Sequence, residues 1–233
     1  MACMETEIQE KPHHMGHRKR LRERFLKSKP ESVPDYELLE MLLFSAKIRS
    51  DVKPLAKDLL KEFGSLSKVL NASENELKKV RDISDSAIAA IKVAKELSLR
   101  LLQEEIKDRP ILQSWKALLD YCRASMGHNK TEQFRIFFLD NKNKLIADEL
   151  QQEGTINHTP VYPREVVKRA LELGAAAIIL VHNHPSGDPT PSQSDIQMTN
   201  KIIEAATPLS VEIHDHIIIG ARDHFSFKSH GLI

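Results

Sequence analysis

Residues 181–195 read Val-His-Asn-His-Pro-Ser-Gly-Asp-Pro-Thr-Pro-Ser-Gln-Ser-Asp, so His182 and His184 leave an apolar run one residue apart, and Asp195 follows eleven residues later. Imidazole nitrogen and carboxylate oxygen are suitable zinc ligands, and a three-ligand set leaves the fourth tetrahedral position open to water, as a catalytic site requires. Water bound in such a position ionises near neutral pH. The donor types do not name the metal, because an iron facial triad uses the same set. Ser192 and Asp195 also make an ordinary helix start, the serine as N-cap and the acid three residues on, where the helix dipole favours it. Capping leaves the histidines unexplained: two imidazoles flanking a tight loop gain nothing from burial and repel one another if protonated.

Two other histidine groups compete for attention. His214 and His216 flank Asp215 in an alternating strand pattern that predicts both to face the same way. Asp223 and His224 lie nearby, but no capped helix follows with a third ligand, so this pair is expected to be structural or to stand behind the ligands. His13, His14 and His17 sit in a basic segment and are expected to be solvated. That segment, residues 11–29, carries Lys11, Arg18, Lys19, Arg20, Arg22, Arg24, Lys27 and Lys29 against the single acid Glu23. It reads either as a phosphate-contacting patch or as a solvated helix face beginning near Gly16, with no sequence-reading motif beside it.

The elements that must position these residues follow from composition and punctuation. At 233 residues the chain is long enough for one large or two small domains and for a core that needs neither disulfides nor a structural metal. Its 34 basic and 33 acidic side chains give a net charge of +1, which excludes a globally polycationic nucleic-acid binder or an acidic-tail protein. Residues 110–233 alone hold 12 basic and 14 acidic side chains, or −2. Cys3 and Cys122 lie far apart in the sequence, the first in the N-terminal segment, so no disulfide framework is expected, which fits a reducing, cytoplasmic setting. Neither a secretory signal nor a membrane span is visible, the apolar run 175–181 being far too short.

Short helices are predicted between residues 17 and 80. Asp35 precedes a leucine-rich stretch, Pro54 opens a helix that Gly64 closes, and Ser73 with Glu76 forms a capping box. A longer helix is predicted over 84–105, with Ala87, Ile88, Ile91, Ala94 and Leu97 as a core-facing stripe. The polar stretch 105–110 ends in proline and marks a domain boundary. Beyond it come a helix at 114–126, a hairpin of strands 133–139 and 144–150 about the turn 140–143, a helix from Pro163 to Gly174, the buried strand 175–181, a helix at 192–206, and strands near 211–219 and 224–227.

The pattern His-x-His-Pro-x6-Ser-x-x-Asp resembles the signature of the JAMM (MPN+) metalloproteases, and the fuller HNHPSGDPTPSQSD resembles the bacterial RadC family within it. The resemblance extends through Gly154-Thr-Ile-Asn157, Tyr162-Pro-Arg-Glu165 and the join at Gly174-Ala175, and spans essentially residues 16–233. It implies a flexible N-terminus at 1–15, a small all-α, helix-hairpin-helix-like domain at 16–106 and, at 110–233, a JAMM/MPN-like (cytidine-deaminase-like) α/β domain with a mixed sheet flanked by helices. It further implies one zinc held by His182, His184 and Asp195 with water as fourth ligand, hydrolysis of peptide or isopeptide bonds in a protein or peptide substrate, Glu132 as general base and Ser192 as oxyanion donor. On spacing alone, Glu149 and Glu153 compete with Glu132. The H-x-E with P-C-x-x-C pattern of base deaminases is absent. The alternative is a DNA-associated accessory protein of repair or recombination, touching DNA through Arg18, Lys19, Arg20, Arg22 and Arg24. Against it, Asp82 and Ser84 stand in the hairpin 80–85 where the family usually has glycines, and a carboxylate there repels phosphate.

Overall fold

The computed structural model describes residues 16–48, 50–107, 109–154 and 161–233. Residues 1–15, with Cys3, His13 and His14, and the Thr-Ile-Asn of 155–157 lie outside the described residues. The chain divides into two compact units between Glu96 and Leu97.

The first unit is helical: α1 (His17–Lys27), α2 (Asp35–Leu43), α3 (Lys53–Phe63), α4 (Leu66–Asn71), α5 (Glu74–Leu77) and the start of α6 (Asp85–Lys107). Local signals set its boundaries. Gly64 ends α3 with φ +83, and Ser73 and Glu76 bond reciprocally at the start of α5. Leu39, Leu43, Leu55, Leu59, Val69, Leu77, Ala87 and Ile91 form its core. The stripe predicted on α6 departs from expectation toward its C-terminal end: Ala87, Ile88 and Ile91 are buried, but Leu97 is 63% exposed. His17 also departs from the expected solvated state, because its Nε2 lies 2.7 Å from Oε1 of buried Glu40.

The second unit is an α/β sandwich containing α7 (Trp115–Met126), β1 (Gln133–Leu139), β2 (Leu145–Glu153), α8 (Pro163–Glu172), β3 (Ala177–Asn183), α9 (Gln193–Ala206), β4 (Glu212–Ile219) and β5 (His224–Ser226). The sheet order is β2-β1-β3-β4-β5, antiparallel except for the parallel pair β3/β4. Such a parallel pair needs a helical crossover, which α9 supplies. The hairpin turns where predicted, with Asp140 Oδ1 accepting from the backbone N–H groups of Lys142 and Lys144 at 2.8 and 2.9 Å and Asn143 taking a left-handed φ of +59°.

β3 is buried along its whole length, which explains its continuous apolar run. Alternation sends Ile179 and Val181 to a core with Leu118 and Cys122 of α7, and Ile178 and Leu180 to a core with Val166 and Ala170 of α8 and Ile202 of α9. The strand ends two residues later than its apolar run, so His182 belongs to the sheet itself.

Candidate metal centre

Parity puts His182 on the α8/α9 face of β3, continuing Ile178 and Leu180. Across β1 its register partner is Phe134, whose ring stacks on the imidazole with centroids 6.0 Å apart. His184 follows just beyond the strand, its backbone N–H donating to Ile219 O at 3.0 Å. The chain then turns through Gly187, whose φ of +86° suits glycine and whose added Cβ would stand 3.0 Å from Ala221 Cβ. That turn brings the Asp188 carbonyl back to His184 Nδ1 at 2.8 Å. Asp195 sits in the first turn of α9. Its Oδ2 accepts from the backbone N–H and the hydroxyl of Ser192 at 2.7 and 2.6 Å, and its own N–H donates to Ser192 Oγ at 3.2 Å. The serine–aspartate capping box is therefore real, and it aims the carboxylate as well as starting the helix.

Strand, loop and helix bring three donors together. His182 Nε2 lies 3.0 Å from His184 Nε2 and 3.4 Å from Asp195 Oδ1, and His184 Nε2 lies 3.5 Å from Asp195 Oδ2. His182 and Asp195 are buried and His184 is half-buried. Among the described residues this trio could hold a metal ion.

The protons can be placed by elimination. A carbonyl oxygen carries none, so His184 Nδ1 must donate to Asp188 O, leaving a lone pair on Nε2 of the neutral ring. On the other side of the site, Thr199 Oγ1 lies 2.6 Å from Asp195 O and 2.6 Å from His216 Nδ1, and His216 Nε2 lies 2.7 Å from His182 Nδ1. The hydroxyl proton must go to the carbonyl, so His216 donates through Nδ1 and accepts through Nε2, and His182 donates through Nδ1. His182 Nε2 then also bears a lone pair. Two lone pairs and a carboxylate facing one another repel unless a cation or proton lies between them, which is the donor set a metal needs.

Without a cation, a proton shared among the donors takes its place, and the electrostatics are those of that protonated state. Burial pushes the Asp195 carboxyl up, but hydrogen bonding from His182, His184 and Ser192 outweighs it and holds the group well below the usual carboxylate range. The hydrogen bond to Asp195 raises His184 against its own burial, with the Glu132 charge adding in the same direction. Burial pushes His216 well below the ordinary histidine value, and nearby His182 adds to the effect, so the ring stays neutral.

Glu132 is half-buried immediately before β1, close enough for its charge to act on His184. The backbone around it is fastened by buried Asn183, whose Oδ1 accepts from Gln133 N at 2.8 Å and whose Nδ2 donates to Thr131 O at 3.1 Å. Glu149 pairs in register with Ile136, and its carboxylate bonds Arg169 at 2.6–3.0 Å. Glu153 is exposed opposite Gln133, with Oε1 3.5 Å from Thr131 Oγ1. Ser192 is exposed beside Asp195.

His214 and His216 do not share a target. A bulge in the β3/β4 register, where Ile178 opposes Ile213 and Ile179 opposes Asp215, leaves His214 as the extra residue and breaks the alternation assumed from the sequence. His214 Nε2 meets Asn143 Oδ1 at 2.5 Å, whereas His216 backs His182. Thr199 and Asn183 were not singled out in the sequence, whereas His216 was expected to be structural or to stand behind the ligands, and it does back His182. Thr199 was findable, standing four residues after Asp195 on one face of a helix. Asn183 stands in the sequence only as a polar residue at the end of an apolar run, and the partner of His216 depends on two strands meeting.

Of the basic residues on α1, Arg18 stacks on the Phe44 ring at 4.7 Å and donates to the carbonyls of Phe44, Lys47 and Ser50. Arg24 pairs with buried Glu37, and Lys19 lies 3.9 Å from Glu23. Arg20 and Arg22 are exposed. In the hairpin, Asp82 adopts φ +60°, and its carbonyl accepts from Lys47 Nζ, while Ser84 Oγ accepts from Ala87 N at the start of α6.

The chain is similar to known proteins along nearly its whole length. Residues 112–232 match the family described as RadC-like JAB domain, and residues 13–89 match the family described as UPF0758 N-terminal. A protein of Rhodobacter capsulatus named "UPF0758 protein" is 55% identical over 213 residues, covering 91% of this chain and 100% of that protein. With a helical unit leading into a JAB/MPN-like sheet that gathers two histidines and an aspartate, the chain belongs to the RadC-like JAB domain family.

Proposed function

We propose that the second unit is a zinc-dependent hydrolase of the JAMM type, which cleaves peptide or isopeptide bonds in a protein or peptide substrate. One observation carries this reading: two imidazole lone pairs and a buried carboxylate converge at separations of 3.0, 3.4 and 3.5 Å. Ligands about 2.0–2.2 Å from a tetrahedral zinc stand roughly 3.3–3.6 Å from one another, so the trio is close to the edge lengths that one zinc per chain needs. Zinc held there would supply Lewis-acid activation of the scissile carbonyl and of the attacking water.

The remaining work falls to the chain's own groups. Glu132 takes a proton from the water and hands it to the leaving amine, a role that a carboxylate beside the site can fill twice in one cycle. The engagement of Glu149 with Arg169 and the exposure of Glu153 support Glu132 over both. Ser192 stabilises the developing oxyanion by turning its single hydroxyl proton from Asp195 Oδ2 toward the substrate oxygen, while its backbone N–H keeps hold of that carboxylate. Cys122 is a buried free thiol, which fits a reducing, cytoplasmic setting. No described helix is long and apolar enough to cross a membrane.

Metal analysis of the purified chain and of His182→Ala tests the reading. One zinc per wild-type chain and none in the variant is expected. Zinc missing from the first, or undiminished in the second, sinks the site.

A further inference from the structure

His216 and Thr199 touch no ligand atom that faces the metal, yet both are buried, and together they link one ligand to the backbone of another. Thr199 Oγ1–H donates to the Asp195 carbonyl, His216 Nδ1–H donates to Thr199 Oγ1, and His182 Nδ1–H donates to His216 Nε2, at 2.6, 2.6 and 2.7 Å. Each group in this chain has only one proton to give, and the chain ends on an oxygen that has none. Its direction is therefore forced from the far end. Reversing any link would set two acceptors against each other or place a proton on His182 Nε2.

We propose that Thr199 and His216 are positioning residues for the metal centre, holding His182 in the one tautomer whose Nε2 can bind an ion. This rests on the metal reading above and extends it to residues that no ligand motif contains. Partners that hold the second nitrogen of a liganding histidine are worth about 10- to 100-fold in metal affinity. The packing supports a fixed ring: Phe227 stacks on the His216 imidazole with centroids 4.6 Å apart, and Phe134 meets its edge at 5.8 Å. The same hydroxyl ties the pair to α9, so the helix that presents Asp195 also sets the protonation pattern of His182.

Thr199→Val keeps the side-chain shape and removes the acceptor for His216 Nδ1–H. The His216 ring then gains by moving its proton to Nε2, which turns His182 to the tautomer with a proton on its metal-facing nitrogen. Zinc affinity of the full chain, measured by competition with a chromophoric chelator, should fall about 10- to 100-fold in Thr199→Val. Thr199→Ser, which restores the hydroxyl, should return it to near the wild-type value. The visible spectrum of the cobalt-substituted chain should change in the valine variant and recover in the serine variant. Equal affinity in wild type and Thr199→Val overturns the proposal while leaving the metal reading intact, and so does an equal loss in the valine and serine variants. A wild-type chain that binds no zinc overturns both. Should the valine variant fail to fold, nitrogen-15 shifts of the imidazoles in the unmodified zinc-loaded chain carry the test: His216 protonated at Nδ1 is expected, and protonation at Nε2 overturns the proposal.

Discussion

At the scale of single residues, the proposed roles separate because each group fails differently when removed. Glu132→Gln keeps the size and the backbone clamp of its neighbours but cannot accept a proton. Peptide hydrolysis should fall about 10²- to 10⁴-fold with the zinc content unchanged, measured by single-turnover cleavage and metal analysis on the same sample. Asn183→Ala should give a different signature. It frees the backbone on both sides of Glu132 and leaves Gln133 N–H without its acceptor, so turnover falls together with a stability loss of about 1–3 kcal/mol in urea unfolding. A variant that loses turnover with no loss of stability would show that Asn183 does more than fasten the strand. The candidate trio itself was legible in the residues alone, because His-x-His followed by a capped acid has no competing structural explanation for the histidines, and the structure brings the three together. The contact between the supporting residues was not legible, since a threonine and a histidine seventeen residues apart become partners only when α9 packs against β4.

At the scale of elements, α1 shows why a run of basic residues does not by itself make an interaction surface. Arg18 and Arg24 are engaged with Phe44, three backbone carbonyls and Glu37 inside the helical unit. Arg18→Ala should lower the stability of that unit by about 1–3 kcal/mol, combining lost hydrogen bonds and ring contact, while exposed Arg22→Ala should lie within about 0.5 kcal/mol of wild type. Thermal unfolding of the two variants decides it, and equal effects would mean that Arg18 is held less firmly than its contacts imply. The same comparison separates a folding defect from any loss of salt-dependent DNA binding. The β2–α8 contact yields a pH prediction. Hydrogen bonding to Arg169 lowers the pKa of Glu149 below its ordinary value against a small burial cost. A lowered folded-state value means that the pair stabilises above the unfolded carboxyl pKa, about 4.3, and loses that stabilisation as pH falls through the folded value. Glu149→Gln should therefore cost about 0.5–1 kcal/mol at pH 7 and progressively less below about pH 4, as followed by urea unfolding across that range.

At the scale of the whole molecule, the proposed metal is expected to be separable from the fold. The two cores of the second unit are built from apolar side chains on opposite faces of the sheet, and neither includes the trio. Chelation should leave the chain folded with a lower melting temperature, and zinc at 100 times its dissociation constant should restore about 2.7 kcal/mol. Far-ultraviolet dichroism before and after chelation checks this; loss of the helical signal would make the metal structural. Helix starts and stops, the hairpin turn and the buried central strand were determined by the sequence itself, because capping, proline, glycine and alternation act within a few residues. Only the tertiary structure put Glu132 within electrostatic reach of His184, let the bulge at His214 separate two histidines that alternation would pair, and brought His216 behind His182. Those outcomes depend on register and on packing between elements distant in sequence, where one residue of slip reverses every side chain.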